Sequence, residues 1–237
     1  MKENTTNQKG KLTMNKTKAF FTDTETTGSL DNPIVYDFGG HAITIDGSTF
    51  GDSTNVVVDE VYYGMKDLMQ TAYYADKLPQ YEDEIWNGER GVENLLHLRK
   101  QIHELFKREG ITVICAHNAR FDIRALNNTI RTVTNGRVKY FFPYGVEVWD
   151  TLKMARQILG KMPTYHKFCE ENGYMTNHQV PRPRMTAEVI YRFITKDTTF
   201  TEAHTGLRDV KIETEIFKYL MRQHKKCDKV LYQAPKA

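Results

Sequence analysis

Six consecutive residues, Ile111-Thr112-Val113-Ile114-Cys115-Ala116, carry almost no polarity and sit between two helical patterns. Upstream, Val92, Leu95, Leu96, Ile102, Leu105 and Phe106 recur at spacings of three and four. That spacing predicts an amphipathic helix, and Gly110 closes it. Downstream, Asn118 is placed to cap a second helix that begins near Ala119. A short apolar run between two helices reads as a central parallel strand with both faces covered. It commits this part of the chain to a layered α/β architecture.

The rest of the pattern fits that frame. Residues 18–22, 34–45 and 55–63 read as three strands, the second interrupted by Gly39-Gly40. Turn residues separate them at Asp31-Asn32-Pro33 and Asp46-Gly47, so an antiparallel meander is expected. Residues 64–90 form a long, aromatic and charged connection with room for a short helix. A further strand is expected over 146–149, then helices over 151–159, 166–172 and 186–194, with a loop at Pro181-Arg182-Pro183-Arg184. The last helix starts near Gly206 and carries Val210, Phe217, Leu220 and Met221 on one face.

Composition bounds the function. The chain has 237 residues, 40% of them hydrophobic, enough for one good-sized domain with a real core. No apolar run approaches the roughly 18–20 residues of a membrane span. The first ten residues are polar, so a secretory leader and a membrane partner are not expected. Cys115, Cys169 and Cys227 are far apart and form no Cys-x-x-Cys pair, which points to a reduced, cytoplasmic setting and away from zinc. The net charge of +3 is local: residues 1–18 hold five lysines against one glutamate, leaving −1 for the remainder. A globally basic nucleic-acid wrapper is excluded. Residues 1–17 are expected to be a disordered tail, 18–222 the folded domain and 223–237 a basic C-terminal tail.

The chemistry is concentrated in three short stretches: Asp23-Thr24-Glu25-Thr26-Thr27-Gly28, His117-Asn118-Ala119-Arg120-Phe121-Asp122 and His204-Thr205-Gly206-Leu207-Arg208-Asp209. Side chains two apart on a strand share a face, so Asp23 and Glu25 project together. Gly28 permits a tight turn with exposed backbone amides. Asp122 and Asp209 each fall in the first turn of a predicted helix, where the dipole favours a carboxylate. Four carboxylates gathered together require cations between them. Oxygen ligands of this type suit Mg²⁺ or Mn²⁺, and two such ions a few ångströms apart clamp the attacking and leaving oxygens of a phosphodiester. His204, just ahead of the last helix, is placed to take a proton from water near neutral pH.

These three stretches, in this order, resemble the three motifs of the DEDDh 3′→5′ exonucleases, the DnaQ-like group that includes the proofreading subunit of bacterial DNA polymerase III, oligoribonuclease and the Trex-type nucleases. The resemblance covers roughly residues 18–222. It implies a ribonuclease H-like fold: a mixed five-stranded sheet, the first three strands antiparallel, flanked by helices. It implies that Asp23, Glu25, Asp122 and Asp209 bind two divalent ions, that His204 is the general base, and that Thr26, Thr27, Gly28 and Asn118 meet the substrate. Phe121 is expected to shape the second motif by packing. The implied partner is nucleic acid with a free 3′ end, single-stranded DNA ahead of RNA. The alternatives are an oligoribonuclease-like enzyme and a catalytically weak, polymerase-associated binding module. The chain looks closer to exonuclease-like proteins of bacteriophages and prophages than to a housekeeping enzyme. Oligomeric state is open.

Two departures stand out. Gly206 stands where many relatives have alanine, which is expected to loosen the His204 loop, and Ile34-Val35-Tyr36-Asp37-Phe38-Gly39 matches the family's Ile-x-Glu-Ile-Gly stretch only loosely, with Asp37 expected to be structural. Asp150 reads as a helix cap ahead of a fifth metal ligand, and Leu105-Phe106 as core ahead of a sliding-clamp peptide. Tyr73, Tyr74, Tyr81 and Trp86 read as packing of an inserted lid ahead of base stacking. Arg182, Arg184 and Lys167 are either phosphate contacts or a solvated loop.

Overall fold

The computed structural model describes residues 17–45, 48, 50 and 53–233. The tail expected over 1–17, except Thr17, and the turn expected at Asp46-Gly47 lie outside the described residues. The chain runs β1 (Lys18–Ser29), β2 (Asn32–Thr44), β3 (Thr54–Val58), α1 (Asp59–Tyr62), α2 (Lys66–Met69), α3 (Leu78–Trp86), β4 (Gly91–Glu93), α4 (Leu95–Glu109), β5 (Val113–Ala116) and α5 (Ala119–Val133). It continues with β6 (Glu147–Asp150), α6 (Thr151–Ile158), α7 (Pro163–Glu171), α8 (Ala187–Thr195), α9 (Gly206–Arg222) and β7 (Val230–Gln233).

The described strands form one mixed sheet in the order β4-β3-β2-β1-β5-β6-β7. The pairs β1–β2 and β2–β3 are antiparallel, as the meander predicts, and β5 lies parallel between β1 and β6. Seven strands replace the expected five. The additions are edge strands: β4 is parallel to β3, and β7, inside the segment expected as a basic tail, is antiparallel to β6. Strand β3 stops at Val58, and Val92 belongs to β4 rather than to the following helix. Asn94 caps α4 by accepting from the backbone N–H groups of Leu96 and His97 at 3.0 and 3.2 Å, which sets its start. Gly110 ends it at φ 64°.

Alternation along β1 divides the core. Phe20 packs on one face with Phe38, Leu98, Ile102, Phe106, Leu126 and Ile130, and so under α4 and α5. Ala19 and Phe21 face the other side with Cys115, Met154, Tyr165, Ile190, Val210 and Phe217, under α6 to α9. Phe106 is thus a core residue, as expected, and Leu105, half-buried, packs against the same cluster. Truncating one of these buried phenylalanines to alanine costs about 3–5 kcal/mol. No helix among the described residues is long and apolar enough to cross a membrane.

Candidate active site

The site forms where β1 and β5 run side by side. Their parallel register pairs Phe21 with Cys115, so Asp23 and the turn after β5 arrive at the same end of the sheet. Strand β1 runs past the expected 18–22 to Ser29, which places Asp23 and Glu25 inside a paired strand rather than at its end. A register shift between Glu25 and Thr26 follows immediately. Such bulges re-aim side chains, and here one separates the two carboxylates from Thr26, Thr27 and Gly28.

A cavity of about 570 Å³ opens at this end, lined by Asp23, Thr24, Glu25, Asp122, His204, Asp209 and, from positions the sequence did not single out, Glu202 and Glu213. Asp122 sits in the first turn of α5. Its Oδ1 accepts from Thr24 N at 3.2 Å and Thr24 Oγ1 at 2.9 Å, which joins α5 to β1. Asp209, in the first turn of α9, accepts through Oδ2 from Thr205 N at 2.9 Å, while its buried Oδ1 has no hydrogen-bond partner among the described residues. Glu213 lies one turn further along α9 on the buried face, 3% exposed, with Oε2 likewise unpartnered.

No lysine or arginine is ion-paired with any of these carboxylates among the described residues. Burial and mutual repulsion therefore drive their protonation. Burial first and then Asp209 push Glu25 up to about 9. Burial and then Glu202 push Asp209 up to about 8. Burial raises Asp122 to about 7, against the pull of the Thr24 hydrogen bonds. Burial raises Asp23 and Glu213 well above the carboxylate range; Asp23 is raised further by Glu213, and Glu213 by Asp122.

Asp37 provides the contrast. It is fully buried on β2, yet its Oδ1 accepts from Arg90, and its Oδ2 accepts from Tyr81 Oη at 2.7 Å and Gly206 N at 2.8 Å. Arg90 also pairs with Glu84 at 2.8 Å, and Glu84 pairs with Arg208 at 2.9 Å. Asp37 is thus a structural carboxylate, as expected, and it tethers the N-terminus of α9 beneath Asp209. Gly206 is not a loosening element. A Cβ on it would stand 2.5 Å from Gly39 N, so glycine lets α9 press its backbone against β2.

His204 adopts φ 53°, unusual for a residue with a side chain, and its ring stacks on Tyr74 with centroids 4.2 Å apart and planes 10° apart. Ligand atoms of Glu25, His204 and Asp209 lie within 4.8 Å of one another. Burial lowers the histidine's proton affinity below the ordinary imidazole value. The expected lid packing holds for Tyr81, which is fully buried; Tyr74 instead enters the site, and Tyr73 and Trp86 are exposed.

Other predicted residues take different positions. Asn118 stands at the start of α5 with φ 72°, but its side chain makes no cap; its N–H donates to Asp150 Oδ1 at 3.2 Å. Asp150 caps α6 as expected, accepting from Leu152 N at 2.8 Å and Lys153 N at 3.2 Å. Phe121 lines the cavity rather than packing in the core. Thr27 donates to the Leu68 carbonyl, and Gly28 N donates to Thr71 Oγ1 at 3.1 Å. Thr26, Thr27 and Gly28 do not line the cavity; the last two anchor the 64–90 segment. His117 Nε2 donates to the Met185 carbonyl at 2.7 Å, and Nδ1 lies 2.9 Å from Thr151 Oγ1, so this second histidine links β5 to the approach to α8.

The donor set fits divalent cations. Among the described residues it offers hard oxygen ligands, two orphaned buried carboxylate oxygens and carboxylates that no lysine or arginine pairs with. Of the cavity's groups, Glu25 and Asp209, with His204, bring ligand atoms closest together, and Asp23 and Asp122 line the same cavity.

By sequence, no protein-family model and no curated protein matches this chain. Solved structures do. The nuclease domain of 3′hExo, a DEDDh family member bound to rAMP, superposes with a TM-score of 0.62 at 12% identity, covering 93% of this chain and 98% of that one. A full-length 3′-exonuclease gives 0.59 at 15%, covering 93% and 90%. The zinc-bound complex of E. coli ExoI with ssDNA gives 0.51 at 18%, covering 89% of this chain, which spans 41% of the ExoI chain. The chain therefore has the ribonuclease H-like fold of the DEDDh 3′→5′ exonucleases.

Proposed function

We propose that this protein is a metal-dependent 3′→5′ exonuclease that removes 5′-mononucleotides from single-stranded DNA or short oligonucleotides. The observation that carries this reading is the gathering of Asp23, Glu25, Asp122 and Asp209 in one cavity beside His204, with no lysine or arginine ion-paired to them among the described residues; these four carboxylates would hold the ions. Two Mg²⁺ or Mn²⁺ ions, when bound, supply an activated water and charge neutralisation at the departing 3′-oxygen. The chain's own residues do the rest. His204 takes the proton of the attacking water at a ring nitrogen, and Tyr74 fixes the plane of that ring. Thr24 holds Asp122 through two hydrogen bonds, and Asp37 holds the helix end that bears Asp209. To Phe121 and Asn118, which line the cavity, this reading assigns contact with the terminal nucleotide.

DNA leads, and RNA is carried beside it, because the fold's relatives include one bound to ssDNA and one bound to rAMP. The test is digestion of 5′-labelled single strands of matched DNA and RNA sequence with Mg²⁺, Mn²⁺ or EDTA. A ladder that shortens one nucleotide at a time from the 3′ end, abolished by EDTA, is expected. Loss of the 5′ label as a mononucleotide in the first products, or digestion that survives EDTA, would overturn the proposal.

A further inference from the structure

The acidic cavity does not end at the carboxylates. Its lining also includes Arg156, Thr176, Arg184 and Met185, and the same four residues line a second hollow of about 710 Å³, so the two adjoin. That hollow adds Arg182, His166 and His178, and none of its lining residues is an aspartate or glutamate. Charge is therefore segregated along one continuous groove, with carboxylates at one end and three arginines and two histidines at the other. Arg156, Arg182 and Arg184 are paired with no carboxylate among the described residues. Arg184 Nε donates to the Met175 carbonyl at 3.3 Å, and guanidinium groups with no carboxylate partner lining a concave surface match phosphate oxygens in charge and in hydrogen-bond geometry.

The backbone bearing two of these arginines is fixed. Thr176 N donates to the Arg182 carbonyl at 2.8 Å, and Arg182 N donates to Thr176 Oγ1 at 3.0 Å. Arg184 N donates to the Tyr174 carbonyl at 2.9 Å, and Tyr165 Oη donates to the Arg184 carbonyl at 2.6 Å. The hairpin is pinned to α7 while both arginine residues remain exposed.

We propose that this groove binds the phosphodiester backbone of the strand 5′ to the nucleotide being removed, and that Arg182 and Arg184 are its main phosphate contacts. The proposal rests on the 3′→5′ exonuclease reading. Cleavage of the 3′-terminal bond leaves the whole remaining polymer on the 5′ side, and the basic end of the groove is where it leaves the carboxylates. The contacts address backbone phosphates and so apply to DNA and RNA alike.

The experiment compares wild type, the Arg182→Ala/Arg184→Ala double variant and the Arg182→Lys/Arg184→Lys double variant. Each is titrated by fluorescence anisotropy with a labelled dinucleotide and a labelled dodecanucleotide over a range of salt, and nucleotide release is measured in parallel. Wild type is expected to bind the longer strand on the order of tenfold more tightly or better. The alanine variant is expected to lose that length advantage. Its slope of log affinity against log salt should be smaller by about 1.4, roughly 0.7 per lost phosphate contact. The lysine variant should keep most of the slope, which separates lost charge from lost folding. The groove is overturned if wild type binds both lengths equally, or if the alanine variant keeps the wild-type length dependence and slope. If wild type shows the length dependence, the alanine variant loses it, and no nucleotide is released, the groove stands and the hydrolytic reading falls.

Discussion

His204 is held in a conformation it would not choose alone. Its φ of 53° costs of order 1–3 kcal/mol for a residue with a side chain, and the Tyr74 stack fixes the ring beside Glu25 and Asp209. A base placed this way should show in the pH profile. Burial lowers its proton affinity, so the acid limb of kcat is expected below the ordinary histidine value of about 6.5. Activity is then full above that limb and is lost as pH falls through it. His204→Ala should lower kcat by about 10²–10⁴-fold and remove the limb, as measured by steady-state release of nucleotide across pH. Asp23, Glu25, Asp122 and Asp209 were legible in the sequence because strand spacing and helix first turns fix where such side chains go. Glu213 was not, although its spacing of four from Asp209 carried a signal. A glutamate in the middle of a helix has no cap or first-turn position to mark it, and its burial follows only from the docking of α9. Glu202 lies in an irregular segment, where no periodicity places a side chain.

Three elements meet under the site through one buried network. Asp37 on β2, Arg90 after α3, and the N-terminus of α9 are joined by charge-assisted hydrogen bonds, and Glu84 and Arg208 close the outer edge. The 64–90 segment is thereby a support for α9 as well as the source of Tyr74. Arg90→Ala leaves Asp37 buried and uncompensated, so a loss of about 3–5 kcal/mol in urea denaturation is expected. Arg90→Lys should recover only part, because one ammonium does not reproduce the forked contacts to Asp37 and Glu84. The main strands and helices followed from periodicity. The edge strands did not: β4 is three residues long and abuts a helical pattern, and Val230-Leu231-Tyr232-Gln233 lies in a basic segment, so both are specified by a neighbouring strand. The break read at Gly39-Gly40 was the opposite error. Those glycines mark where Gly206 and Phe20 approach the strand, a tertiary contact that local sequence does not encode.

Across the whole molecule, the small net charge of +3 hides an acidic centre. Without metal, folding gathers carboxylates whose proton affinities are all raised, up to about 9 for Glu25 and about 8 for Asp209. The folded state then holds more protons than the unfolded chain between about pH 4 and those values, so this contribution to stability is lost as pH rises. The metal-free protein should melt at a lower temperature at pH 9 than at pH 6, and Mn²⁺ should narrow the gap. Thermal denaturation with and without EDTA checks both signs. The same linkage gives the most direct test of the claim that the carboxylate cluster is a divalent-metal site. Isothermal titration calorimetry of metal-free protein with Mn²⁺ at pH 7, in buffers of different ionisation enthalpy, should show two ions bound with net release of protons. Both features should be weakened in Asp23→Asn and Asp209→Asn. Absence of saturable Mn²⁺ binding, or binding unaltered in those variants, would contradict the account.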